Sequence, residues 1–127
     1  MEKIVASCSK QFIIIVDSSK IVSNLGKFPL PVEVVQFGSE RIKASIERFL
    51  ISLGYQMPKV TFRRSASNKY VTDQQNYILD LHLNEILDPK KLSIGLLQIV
   101  GVVEVGLFIN MASKIIIGND DGSCKVI

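Results

Sequence analysis

The sequence predicts an α/β fold in which a ferredoxin-like β-α-β-β-α-β module is inserted between strands of an incomplete Rossmann-like sheet. Three observations carry this expectation. Phe12 to Val16 (FIIIV) is an unbroken apolar run rich in β-branched residues, the pattern of a strand covered on both faces in a parallel sheet. From residue 32 onward, strand and helix periodicities follow one another in the order β-α-β-β-α-β. Beyond that module, Lys114 to Ile117 and Lys125 to Ile127 read as further strands, so pieces of a second sheet flank it on both sides. The expected divisions are residues 1–31 and 105–127 for the Rossmann-like part and 32–104 for the ferredoxin-like domain.

Glu2 to Lys10 reads as a short helix, with Ile4, Val5 and Cys8 on one face. The run FIIIV follows and ends in the polar Asp17-Ser18-Ser19-Lys20. In open α/β sheets, ligands gather where strands end at their carboxyl side, so Lys20 is placed to meet an anion. By itself, the residue is better explained as a solvated loop lysine. Phe28-Pro29-Leu30-Pro31 reads as an extended connection, because residues before proline avoid the helical region.

Val32 to Phe37 is the first strand expected of the module. Ser39 is the expected cap of a helix whose apolar residues, Ile42, Ile46, Phe49, Leu50 and Leu53, share one face, and Gly54 supplies its stop. Lys59 to Arg64 reads as a strand and Ser65 to Lys69 as a turn. Tyr77 to Leu83 alternates Leu79, Leu81 and Leu83 with Asp80 and His82. Asp88-Pro89 opens the next helix, with Asp as cap and Pro at the first position. Leu92, Leu96, Ile99 and Val100 are its expected buried side, and Val102 to Ile109 the fourth strand. Asn119-Asp120-Asp121-Gly122 is the turn of a closing hairpin.

Composition excludes several classes. The chain has 127 residues, enough for one ordinary domain, and 21% of them are charged. A net charge of +3 is too slight for a nucleic-acid stripe, and the basic spot around Lys59, Arg63, Arg64 and Lys69 reads as a solvated loop face. No apolar run reaches the roughly 18 residues of a membrane helix. Cys8 and Cys124 show no metal-ligand spacing and are expected as free thiols in a reducing cytoplasm, although a disulfide between them is compatible with the sequence. Neither Gly-rich phosphate loop nor nucleophile elbow occurs. His82 and Glu85 are three residues apart and fall on opposite faces of a strand, which disfavours a shared metal. Asp73, Asp80 and Glu85 read as turn and surface polarity.

Four blocks then carry a resemblance. They are EKIVA at 2–6 with FIIIVDSSK at 12–20, FPLPVEV at 28–34, VTD at 71–73 with NYILD at 76–80, and GVVEVGLFIN at 101–110 with Gly118 and Asp121-Gly122. In order and spacing they resemble the carboxyl-terminal half of the type A ribose-5-phosphate isomerases. The resemblance implies an aldose-ketose isomerase of the pentose phosphate pathway. Such an enzyme interconverts D-ribose 5-phosphate and D-ribulose 5-phosphate through an enediolate, with no metal and no organic cofactor. It implies that Glu2, in the segment matching the family's Arg-Glu-Lys, is the proton-carrying base. Met1 stands where the family has Arg. It implies that Lys20, after the Asp-x-Ser motif, contacts substrate.

The expected partners are the sugar phosphate and further copies of the chain; neither nucleic acid nor membrane is expected, and the location is cytoplasmic. The family's amino-terminal half, with its phosphate loop and Asp-Gly-Ala-Asp motif, has no counterpart in these residues, so turnover is expected to need it. The alternative expectation is an inactive fragment serving as an oligomerisation or interaction module.

Overall fold

The computed structural model describes all residues, 1–127. It is an α/β fold with mixed sheets and three α-helices. The elements run α1 (Glu2–Cys8), β1 (Ile13–Asp17), a 3-10 turn (Ser18–Lys20), β2 (Leu30–Val34), α2 (Ser39–Ser52), β3 (Lys59–Phe62) and β4 (Arg64–Ser65). They continue as β5 (Asn68–Lys69), β6 (Tyr77–His82), α3 (Pro89–Leu97), β7 (Val102–Val105), β8 (Lys114–Gly118) and β9 (Cys124–Val126). The chain divides into two compact units: Met1–Ser23 with Phe108–Ile127, and Asn24–Leu107.

The unit Asn24–Leu107 is built on a four-stranded sheet of order β3-β6-β2-β7, with every neighbouring pair antiparallel. Alternation decides what each strand buries. Leu30, Val32 and Val34 of β2 are buried, as are Leu79 and Leu81 of β6, while Pro31, Glu33, Asp80 and His82 point away. The helices complete the core with Ile42, Ile46 and Leu50 from α2 and Leu92 and Leu96 from α3. Each such side chain contributes about 1.5–3 kcal/mol on leaving water, which makes this unit the hydrophobic centre of the chain. Asp88 caps α3 through its carboxylate, which accepts the Lys91 N–H at 2.9 Å, with Pro89 at the first position.

Several boundaries differ from those expected. The first strand begins at Leu30 rather than Val32, because Pro31 pairs with Asp80 and its carbonyl accepts the Gly106 N–H at 2.8 Å. The cap of α2 is Gly38, not Ser39; Gly38 adopts the left-handed conformation (φ 69°), and Ser39 is buried as the first helical residue. Helix α3 stops at Leu97, which leaves Val100 exposed instead of buried. Strand β7 ends at Val105 rather than Ile109, since Gly106 packs directly on the Pro31 ring.

The other unit is a three-stranded mixed sheet of order β1-β8-β9. Strand β1 runs parallel to β8, from Ile13↔Lys114 to Asp17↔Gly118, and β9 returns antiparallel through the turn at 119–123. Ile117 is buried, but Ile13 and Ile15 are exposed, Ile15 by 76%. The cover expected on both faces of FIIIV is therefore not supplied within this chain.

Candidate active site

Both residues singled out by the resemblance lie in the unit formed by residues 1–23 and 108–127. Glu2 opens α1, in the first helical turn, where the helix dipole favours a carboxylate. Helix α1 buries only Ala6. Its Lys3 ammonium lies 5.4 Å from the centroid of the Phe108 ring, which in turn packs 5.8 Å from Phe12. The Glu2 side chain is 88% exposed, and its Oε2 lies 3.3 Å from the terminal ammonium of Met1. The Glu2 backbone N–H, and then that ammonium, hold the carboxyl below the usual glutamate range. Glu2 is thus ionised at neutral pH, the state a proton acceptor requires.

Lys20 ends the 3-10 turn that follows β1. Asp17 begins the turn: its Oδ1 accepts the Ser19 N–H at 2.9 Å and also the Ser19 hydroxyl. The Ile21 N–H closes the turn on the Ser18 carbonyl at 3.2 Å. The Ser19 hydroxyl is the chief cause of an Asp17 carboxyl held below the usual aspartate value.

Because β1 and β8 are parallel, their carboxyl ends finish side by side, with Asp17 opposite Gly118. An open groove of about 520 Å³ lies at this end and runs along the strands. Asp17, Lys20, Asn119 and Asp120 form its polar rim; Ile15 and Ile116 are among its apolar lining. One cation, two carboxylates and an amide over an apolar floor offer hydrogen-bond donors and acceptors to a polyhydroxylated ligand. Glu2 does not line this groove, in which Lys20 meets the β8–β9 turn.

Asn119 and Asp120 were legible in sequence only as turn residues. Parallel pairing of β1 with β8 is the signal that sets them beside Lys20. The turn is well built: the Asn119 N–H donates to the Ser123 carbonyl at 2.9 Å, Asp121 accepts the Ser123 N–H at 2.8 Å, and Gly122 takes φ 82°.

The remaining candidates resolve into structural roles. The His82 Nε2 lies 3.0 Å from the Thr61 hydroxyl, on the sheet of the other unit. Arg63 grips Asp80 with two bonds, at 3.0 and 2.7 Å. Lys69 pairs with Glu40 at 3.1 Å and sits 3.6 Å from the Phe62 ring centroid. Two cations of the basic spot are therefore matched to carboxylates of their own unit. Cys8 and Cys124 are free and exposed. No group of three or more His, Cys, Asp or Glu side chains could hold a metal, and no helix is long and apolar enough to cross a membrane. In a larger hollow of about 590 Å³ between Leu53–Gln56 and Leu83–Leu92, Tyr55 donates to the Glu85 carbonyl and Asp88 caps α3.

Comparison with known proteins supplies the remaining evidence. The family model described as ribose 5-phosphate isomerase A (phosphoriboisomerase A) matches residues 1–122. A protein of Ruegeria sp. (strain TM1040) named ribose-5-phosphate isomerase A is 47% identical over 125 residues, 98% of this chain and 48% of its own length. Among solved structures, ribose 5-phosphate isomerase from Plasmodium falciparum superposes with a TM-score of 0.90 at 32% identity, covering 99% of this chain and 54% of that one. A D-ribose-5-phosphate isomerase in complex with phospho-erythronic acid gives 0.85 at 31% identity, over 99% and 53%. The chain spans about half the length of the relatives it matches.

Proposed function

The chain belongs to the ribose 5-phosphate isomerase A family, and from that premise we propose that it supplies the catalytic base and a substrate-contacting cation of an aldose-ketose isomerase. The substrate pair is D-ribose 5-phosphate and D-ribulose 5-phosphate. The Glu2 carboxylate takes the proton from C2 of the open-chain aldose, leaving an enediolate over C1 and C2. The same carboxyl returns the proton to C1 while the O2 hydrogen passes to O1, so atoms and charge balance and no redox partner is needed. One base serving two adjacent carbons must be ionised before the reaction and protonated within it, and Glu2 is ionised at neutral pH. The Lys20 ammonium offsets the negative charge of the phosphate or of the developing enediolate.

The observation that carries this reading is the family match through residues 1–122, which includes both Glu2 and Lys20. The phosphorylated sugar acid bound by one of the similar structures supports a sugar-phosphate ligand. Because the chain spans half of its relatives, the rest of the pocket is assigned to polypeptide beyond these residues. The exposed Ile13 and Ile15 of β1, a strand with a neighbour only on its β8 side, support seating that polypeptide there.

The sheet order β3-β6-β2-β7 supports reading the middle segment as a ferredoxin-like split βαβ module, which leaves 1–31 and 105–127 as the catalytic part. Association of copies and a cytoplasmic location belong to the same reading; the two free thiols fit a reducing compartment.

A second reading, a non-catalytic interaction module, is favoured by one observation: Glu2 stands outside the groove that holds Lys20. The two readings separate in one assay. The purified chain is given D-ribose 5-phosphate alone and after mixing with the separately produced amino-terminal half of a relative, and ribulose 5-phosphate is followed. Turnover in either mixture upholds the isomerase reading; none in both upholds the module.

A further inference from the structure

We infer that Asp17 is a positioning residue for Lys20: its carboxylate fixes the turn from which Lys20 reaches the groove, without itself touching substrate. This rests on the reading that Lys20 contacts the sugar phosphate.

A lysine stem is long and rotamer-rich, so the fold controls chiefly where its backbone stands. That backbone is a three-residue 3-10 turn, at whose end the Ile21 N–H donates to the Ser18 carbonyl at 3.2 Å. A turn so short does not hold itself, since nucleating a helical turn orders several dihedrals for one bond. Asp17 supplies two more bonds, to the Ser19 N–H and to the Ser19 hydroxyl. An ionised acceptor makes both of them charge-assisted. Asp17 itself is fixed by its place at the end of β1, in register with Gly118 of β8. The chain of support therefore runs from the parallel pair through one carboxylate to Lys20. The depressed Asp17 carboxyl agrees with this, because its largest cause is the Ser19 hydroxyl bond.

The test uses the whole chain and the variants Asp17→Ala, Asp17→Asn, Lys20→Ala and the double Asp17→Ala/Lys20→Ala. Amide NMR relaxation reads the order of residues 18–21, and titration with D-ribose 5-phosphate reads affinity. Asp17→Ala, which removes both bonds to Ser19, is expected to loosen those amides while β1 and β8 keep their shifts, and to weaken binding about tenfold. Asp17→Asn keeps an acceptor oxygen and is expected to bind within about twofold of the parent. The double variant is expected to bind no more weakly than Lys20→Ala alone.

A turn that stays ordered in Asp17→Ala, or losses that multiply in the double variant, would overturn the inference. If Lys20→Ala leaves affinity unchanged, the role given to Lys20 fails, while a loosened turn in Asp17→Ala still upholds that of Asp17. Should Asp17→Ala unfold the unit, Ser19→Ala removes only the hydroxyl bond and must loosen the same amides; no change there overturns the inference too.

Discussion

Gly26 lies directly on the backbone of Glu85: a β-carbon at position 26 would stand 2.7 Å from both the Cα and the nitrogen of Glu85. Leu25 and Ile86 pair beside this approach, and the Asn24 amide donates to the Glu85 carboxylate at 2.8 Å. Gly26 also takes φ 117°, where a side chain is strained whatever space it finds. Gly26→Ala is therefore expected to destabilise the Asn24–Leu107 unit by about 2–4 kcal/mol, from overpacking against backbone and from conformational strain together. Chemical denaturation of that variant checks it, and a loss under 1 kcal/mol would mean the two segments part easily.

Acid is expected to loosen the groove end of the smaller unit before the rest. Asp17 and Asp121 both have carboxyls below the usual aspartate value of 3.8, chiefly through the hydroxyls of Ser19 and Ser123. A depressed folded-state value stabilises above the unfolded one and is lost as pH falls through the folded one. The bonds to Ser19 and Ser123 are thus at full strength at neutral pH and weaken only as pH falls through the folded-state values, which lie below 3.8. Carbon-detected NMR titration should give both carboxyls midpoints below 3.8, with the Ser19 and Ser123 amides shifting in step.

Hydrogen exchange should divide the chain by depth of burial. Strands β2 and β6 carry residues with no measurable exposure, such as Val32, Leu79 and Leu81, and should exchange only when their unit unfolds. Helix α1 buries one residue and β9 none, so their amides should exchange orders of magnitude faster. Uniform protection throughout would contradict this division.

Much of the architecture was written locally. The alternation of Leu79, Leu81 and Leu83 against Asp80 and His82, and the Asp88-Pro89 helix start, need only nearest neighbours to be read. The stop at Gly54 is equally local: it takes φ 97°, and its N–H bonds to the Ile51 carbonyl at 3.0 Å.

What escaped depended on distant partners. Ser39 has the chemistry of a cap, yet burial claims it and the left-handed Gly38 takes the position. Strand β7 ends early because Gly106 meets Pro31, some 75 residues away along the chain. At the candidate site, Lys20 was legible from the end of a strand, but Asn119 and Asp120 joined it only through the pairing of β1 with β8. The separation of Glu2 from that groove has no local signature at all.

Everything functional turns on whether the carboxylate at position 2 moves the proton. The most direct measurement is kcat and KM for D-ribose 5-phosphate of Glu2→Gln beside the parent, each paired with the amino-terminal half of a relative. A positioned general base contributes about 10²- to 10⁴-fold, so kcat is expected to fall by that factor while KM changes little. Turnover by Glu2→Gln equal to that of the parent would contradict the account.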